Sequence, residues 1–300
     1  MNLAALLCAI GSGLAASLVP ALFKRQGPEP GRQMGLLLGG NLFCALAAAA
    51  AVPALGGSFG GGRFLLVGAA AGLLTAVNTW SYLGVVLHRG PVSISWAVVY
   101  LSAPVTALMG WALLGEHLGG WQTLGLASFL ACLAVMALAA RRTAARRGGE
   151  LAPRKGYWTW LAAALLAGGA CGFLMKFKDR AEPAGHLLGF LAVSSAVCVA
   201  ALAVVCAARG TRPAMDRRTW GLAAAYGALL LACQALLLQG LKGQTTVLFP
   251  VQAGAAVSFG LLWAFLGGER PSRLAYAGAA LAVLAIALMN LGGGAVLGGR

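Results

Sequence analysis

Long apolar stretches, a basic-loop asymmetry and an internal duplication predict an all-α integral membrane protein: ten transmembrane helices built as two inverted five-helix repeats. The chain of 300 residues is 60% hydrophobic and only 10% charged, with mean hydropathy +0.84. Soluble domains carry roughly 25% charged residues. The apolar residues also fill whole stretches of about twenty rather than one helical face. Such a stretch spans a hydrocarbon core of roughly 30 Å as a helix with its backbone polar groups paired internally.

In chain order the stretches run over 3–23, 34–55, 64–87, 91–114, 121–140, 157–177, 186–208, 220–241, 244–267 and 274–292. The first is followed, not preceded, by Lys24 and Arg25, so it reads as a retained span with its start outside rather than a cleaved signal. Small-residue pairs at four-residue spacing mark the second (Gly35/Gly39), third (Gly68/Gly72), sixth (Gly168/Gly172) and the start of the seventh (Gly185/Gly189), and favour close helix contacts. The fourth holds Pro104 in mid-span and the ninth holds Pro250 near its start, where each can kink a helix. Trp158, Trp160 and Trp220 sit at span starts, as in an interfacial belt. The seven cysteines all lie inside apolar stretches without C-x-x-C spacing and read as small buried hydrophobes.

The net charge of +15 is a topology signal rather than a nucleic-acid footprint. The loops after the odd-numbered stretches hold 16 of the 22 Lys and Arg residues. Segment 141–156 alone carries Arg141, Arg142, Arg146, Arg147, Arg154 and Lys155. Basic loops stay cytoplasmic, which places both termini outside and 141–156 inside. That segment divides the chain into a first five-helix repeat (1–140), a basic cytoplasmic linker loop (141–156) and a second five-helix repeat (157–300).

Residues 90–136 align without a gap onto 243–289 at an offset of 153. Both copies follow a basic residue (Arg89, Lys242), run apolar, break at a glycine–glutamate pair (Gly115-Glu116, Gly268-Glu269) and share a later glycine (Gly125, Gly278). An odd-numbered unit repeated in tandem enters the membrane in opposite orientations, which makes the copies inverted. These residues resemble the drug/metabolite transporter superfamily, specifically its EamA-type ten-helix proteins. The likeness is carried by Pro104 to Glu116 (PVTALMGWALLGE) with Gly125, and by Phe249 to Glu269 (FPVQAGAAVSFGLLWAFLGGE) with Gly278. Lys24 and Lys176 resemble a lysine often found at the corresponding helix ends. The first helix departs from the pattern by lacking a tryptophan–glycine pair. The resemblance implies a carrier of small metabolites or drug-like solutes.

None of the seven acidic residues falls in mid-span, where cation-coupled carriers commonly hold a titrating carboxylate. Glu116 and Glu269 come nearest, as helix-capping residues or as coupling groups. The candidate substrate-binding residues are neutral. Thr75, Asn78 and Tyr82 share one helical face; Ser95, Ser102 and Thr106 form a stripe beside Trp96 and Tyr100; Gln234, Thr245 and Gln252 lie in the second repeat, and Asn41 in the second span. A carboxamide facing lipid is costly, so Asn78, Gln234 and Gln252 should face the interior, to bind a polar solute or to join helices. Trp80, Trp96, Tyr100 and Trp111 could stack on an aromatic or cationic solute.

The expected function is a secondary carrier in the cytoplasmic membrane working by alternating access, with the solute between the third, fourth, eighth and ninth helices. A flippase for a lipid-linked group is the close alternative. A membrane-embedded lipid-modifying enzyme is the distant one, for which Asp179 and Glu182 are the only crowded acids. No phosphate-binding loop, catalytic triad or metal-ligand spacing is present, so no cofactor or metal is expected. The expected partners are a small-molecule solute, with or without a coupled proton, and the lipid bilayer, not nucleic acid. The chain would act as a monomer or homodimer.

Overall fold

The computed structural model describes residues 3–27, 29–55, 57–87, 102–115, 119–146, 156–181, 187–241, 245–266 and 272–294, and all regular structure among them is helical. The helices are α1 (Leu3–Gln26), α2 (Pro30–Ala54), α3 (Gly62–Leu87), α4 (Ala103–Leu114), α5 (Gly120–Arg146), α6 (Tyr157–Ala181), α7 (Leu187–Arg209), α8 (Arg217–Leu241), α9 (Thr245–Leu266) and α10 (Arg273–Gly294). Seven of them, α1, α2, α3, α5, α6, α7 and α8, are long and apolar enough to cross a membrane. The chain is therefore a multi-pass helical membrane protein.

Two local outcomes differ from the sequence reading. Residues 141–146 continue α5 as helix instead of opening the basic loop. Their Ala- and Arg-rich run favours helix, and no Gly or Pro interrupts it until Gly148. Pro104 sits in the first turn of α4 rather than in mid-helix, and Ser102 before it is a turn residue. There the missing proline N–H costs no hydrogen bond, and the Val105 and Thr106 amides both donate to the Ser102 carbonyl.

The exterior is unlike that of a soluble protein, being apolar, and several polar side chains sit within the largely apolar interior. Leu66, Leu3, Val204 and Leu46 are each more than 60% exposed, whereas Ser12, Asn41, Ser194, Ser195 and Gln252 are buried. Apolar surface costs nothing against lipid, and polar groups find partners only inside the bundle.

Packing follows one rule. Between residues 1–146 and 156–294, the helices that touch most extensively are α5 with α10, α3 with α6 and α7, α1 with α8 and α9, α2 with α7 and α8, and α4 with α6. Exchanging α1–α5 for α6–α10 in order maps this set onto itself: α3·α6 becomes α8·α1, α1·α9 becomes α6·α4, and α2·α8 becomes α7·α3. Within the α5–α10 contact, one Gly–Met pair recurs in exchanged form. A Cβ at Gly125 would lie 2.5 Å from Met289 Cγ, and one at Gly278 would lie 2.6 Å from Met136 Sδ. The positions match across the two contacts, because Gly125 and Gly278, like Met136 and Met289, are 153 residues apart.

The paired glycines also work as contact points. Gly35 and Gly39 on α2 admit the segment from Ala214 to Ala223, Gly72 on α3 admits Ser194 and Val197, and Gly168 and Gly172 on α6 admit Ser102 and Thr106. At one end of the bundle the α1–α2 corner meets the α7–α8 connection. Ala214 N–H donates to Gly31 O, Gln26 Nε2 donates to Thr219 Oγ1 (2.7 Å), and Gln33 Nε2 donates to Phe23 O (3.1 Å). At another place Ser58 and Phe59, in the α2–α3 connection, pack on Gly189 at the start of α7.

Candidate functional site

A cavity of ≈160 Å3 lies where α2, α3, α6, α8 and α9 meet the first turn of α4. Its polar lining comprises Asn41, Thr75, Asn78, Thr79, Tyr82, Ser102, Thr106, Tyr226, Gln234 and Gln252, with Cys171 and Cys233. The apolar part includes Leu37, Met175, Leu230, Leu237 and Phe249. Pockets for drug-sized ligands run to roughly 300–1,000 Å3, so this one suits a small solute.

The local sequence explains each contribution. On α3, Thr75, Asn78, Thr79 and Tyr82 fall at spacings of three and four and so share one face. On α6, Gly168, Cys171, Gly172 and Met175 do the same, and the absence of a side chain at Gly172 leaves room for Thr106. Thr106 Oγ1 donates to Gly169 O across the α4–α6 contact at 2.9 Å. Thr75 Oγ1 donates to Ala71 O (2.8 Å), so this hydroxyl is satisfied by its own helix.

The carboxamides divide into two kinds. Gln252 joins helices: Nε2 donates to Ser12 Oγ at 2.8 Å, and Ser12 Oγ donates to Cys233 O at 2.7 Å, which links α9, α1 and α8. Since the single Ser12 proton goes to a carbonyl, its oxygen must accept from Gln252, and this fixes the amide orientation. Asn41 and Asn78 are different. Asn41 Nδ2 donates to Leu37 O at 2.8 Å, leaving Oδ1 buried without a partner, and Asn78 Oδ1 is likewise buried and unpartnered. An unmet buried acceptor costs about 1–3 kcal/mol, so two in one cavity are held at a measurable cost in stability.

Aromatic rings stand between the cavity and the α1–α2 corner. Phe23 packs edge-on against Tyr82 (centroids 5.2 Å apart) and against Tyr226 (6.0 Å). All three rings are buried, and Phe23 lies one turn before Gln26 in the corner.

Of the sequence-derived candidates, Asn78, Tyr82, Gln234 and Gln252 are brought together in this lining, with Asn41, Thr75, Ser102 and Thr106. Trp96, Tyr100, Glu116 and Glu269 lie outside the described residues, as do Ser95 and Glu182. The Thr245 and Asp179 side chains lie outside them too. Trp80 and Trp111 are not in the lining. Trp80 carries the Arg209 guanidinium over its ring at 5.0 Å, and Trp111 is 54% exposed on the bundle surface. Residues missed in the sequence include Ser12, Cys171, Cys233 and Tyr226. Cys171 and Tyr226 could have been found from the face they share with their neighbours, whereas Ser12 matters only through partners more than 220 residues away. Among the described residues no group of His, Cys, Asp and Glu could hold a metal ion.

No protein-family model matches the chain, and no curated protein matches it significantly. A solved structure does. A protein solved by crystallography superposes with a TM-score of 0.70 at 19% identity, over 97% of this chain and 98% of its own. The fold is thus one already seen in a crystal. Near-complete coverage of both chains makes the likeness one of whole architecture, without bearing on what either protein binds.

Proposed function

We propose that this chain is a secondary carrier that moves a small solute across the cytoplasmic membrane by alternating access, with ten membrane-spanning helices forming two inverted five-helix repeats of EamA type. The observation that carries this reading is a polar-lined cavity enclosed by helices of both halves inside an otherwise apolar bundle. Such a lining is costly in a protein whose only task is to fold, because polar groups gain little from burial unless they are partnered. The exchangeable contact pattern supports two equivalent halves, and the paired Gly–Met contacts support a two-fold axis through α5 and α10. Inverted halves give alternating access directly: if each adopts the other's conformation, a cavity open to one side becomes open to the other. The Phe23–Tyr82–Tyr226 rings are placed to seal the cavity toward the α1–α2 corner. The basic-loop rule puts that corner on the cytoplasmic side. α4 begins at Ala103, so a helix N-terminus lies beside the cavity through Ser102 and Thr106, as helix ends do at many carrier sites.

The test is reconstitution. Purified protein in liposomes should move at least one solute from a panel of amino acids, nucleobases, sugars and drugs, and that solute should raise the melting temperature of the detergent-solubilised protein. Asn78→Ala should abolish both effects while the protein stays folded. Absence of uptake, efflux and thermal shift across all classes would refute the carrier reading.

A further inference from the structure

We infer that the cavity selects an uncharged solute that donates hydrogen bonds, with Asn41 and Asn78 as the acceptors that recognise it; this rests on the carrier reading above. Three observations lead there. The first is the pair of unpartnered acceptors. Asn41 Oδ1 and Asn78 Oδ1 are buried without hydrogen bonds, and the bond from Asn41 Nδ2 to a carbonyl that can only accept fixes its oxygen as the free atom. Orphaned acceptors in a native interior call for a donor that arrives with a ligand or in another state of the cycle. Groups that meet this need are N–H and O–H donors of amides, ureides or alcohols.

The second observation is charge. No Asp, Glu, Lys, Arg or His is among the described lining residues. All seven acids of the chain lie between or at the ends of the apolar stretches, so no carboxylate is positioned in mid-span to neutralise a cation. Lys176 follows Met175 on α6 but is not itself part of the lining. A solute carrying net charge would meet no counter-charge among the described lining residues, which disfavours its burial there. The amides that could have welcomed a carboxylate at the start of α4 are partly spent, because Val105 and Thr106 N–H both donate to Ser102 O. The third observation is shape. The space of ≈160 Å3 is bounded by the rings of Tyr82, Tyr226 and Phe249 as well as by polar groups, which suits a compact molecule with one flat or apolar face.

The experiment compares initial uptake into proteoliposomes, above that of protein-free vesicles, for solutes matched in size and differing in charge: uracil with orotate, erythritol with erythronate, and choline and serine beside them. At least one neutral probe should enter at least about tenfold faster than its carboxylate partner, since a site built around hydrogen bonding discriminates sharply against unmatched groups. Asn78→Leu and Asn41→Leu each remove an unmet acceptor without changing side-chain size much. Both variants should therefore melt no lower than the parent and yet lose neutral-solute uptake, a combination that a merely structural asparagine would not give. Transport of charged probes at rates equal to or above their neutral partners would overturn the assignment of solute class while leaving the carrier reading standing. Uptake unchanged in both leucine variants would overturn the assignment of the two asparagines. If neither these probes nor any solute of the broader panel moves, the carrier reading falls and takes this inference with it, and if only charged members of that panel move, this inference alone falls.

Discussion

Gln252 and Ser12 join three helices through two hydrogen bonds, and their coupling can be weighed. Polar contacts between helices inside membranes average only about 0.6 kcal/mol, with a maximum near 1.7, because the unfolded chain in lipid also finds partners. A double-mutant cycle of Ser12→Ala and Gln252→Leu, read by denaturant-induced unfolding in micelles, should give a coupling in that range. A coupling indistinguishable from zero would mean that the contact is not maintained. Asp216 offers a second residue-scale test, outside the membrane-spanning segments. Its Oδ1 accepts from Thr219 N–H at 2.7 Å at the start of α8. That backbone bond, then the Thr219 hydroxyl and the Arg32 and Arg218 guanidinium groups, hold the Asp216 carboxyl below its ordinary value. A lowered folded-state pKa means that the contribution to stability is full above the ordinary aspartate value, about 3.9, and is lost as pH falls through the lowered one. Asp216→Asn should therefore melt below the parent at neutral pH, and the gap should close progressively in acid. At this scale the sequence was informative for residues whose cost is intrinsic. Asn78 and Gln252 had to face inward wherever their helices packed, and they do. Ser12 gives no such signal, since a helical serine can satisfy itself.

At the scale of the element, the glycines separate packing from propensity. Gly72 meets the Ser194 carbonyl, and a Cβ there would lie 2.8 Å from Val197 Cβ, so Gly72→Ala must push α3 from α7. Overpacking of this kind costs about 1–3 kcal/mol. Gly221 on α8 has nothing within 4 Å of its Cβ position, and Gly221→Ala should be neutral or stabilising by up to about 1 kcal/mol through helix propensity. Melting temperatures of the two variants should shift in opposite directions, and a common downward shift would show that general helix flexibility, not contact, explains the glycines. The four-residue spacing of Gly35/Gly39, Gly68/Gly72 and Gly168/Gly172 made such contacts legible in the sequence. Which helix each pair meets was not, because spacing along one helix says nothing of its neighbour. Pro104 was misplaced for a related reason: an apolar stretch of span length conceals a break within it, and only the turn at Ser102 shows that the proline begins a helix.

For the molecule as a whole, the class of the protein was legible because the bilayer leaves few alternatives for so apolar a chain. The meeting of both halves around one cavity followed from the duplication, and Asn41 had marked α2, although α6 joined α3, α4, α8 and α9 without a polar cue in the sequence. The basic residues, read as a topology signal, fit an end of the bundle where the α1–α2 and α7–α8 connections touch. The Gly125–Met289 and Gly278–Met136 contacts have a further consequence, for assembly. Each half offers the other the same glycine notch and the same methionine knob, as the two subunits of an isologous dimer do. Such an interface holds the information for its own formation without a covalent link. Residues 1–146 and 156–300, expressed as separate chains in one membrane, should copurify. Gly125→Leu in the first fragment should prevent this, whereas Gly221→Leu in the second should not. Split in this way, the protein would behave as two complementary pieces, each completed by the other.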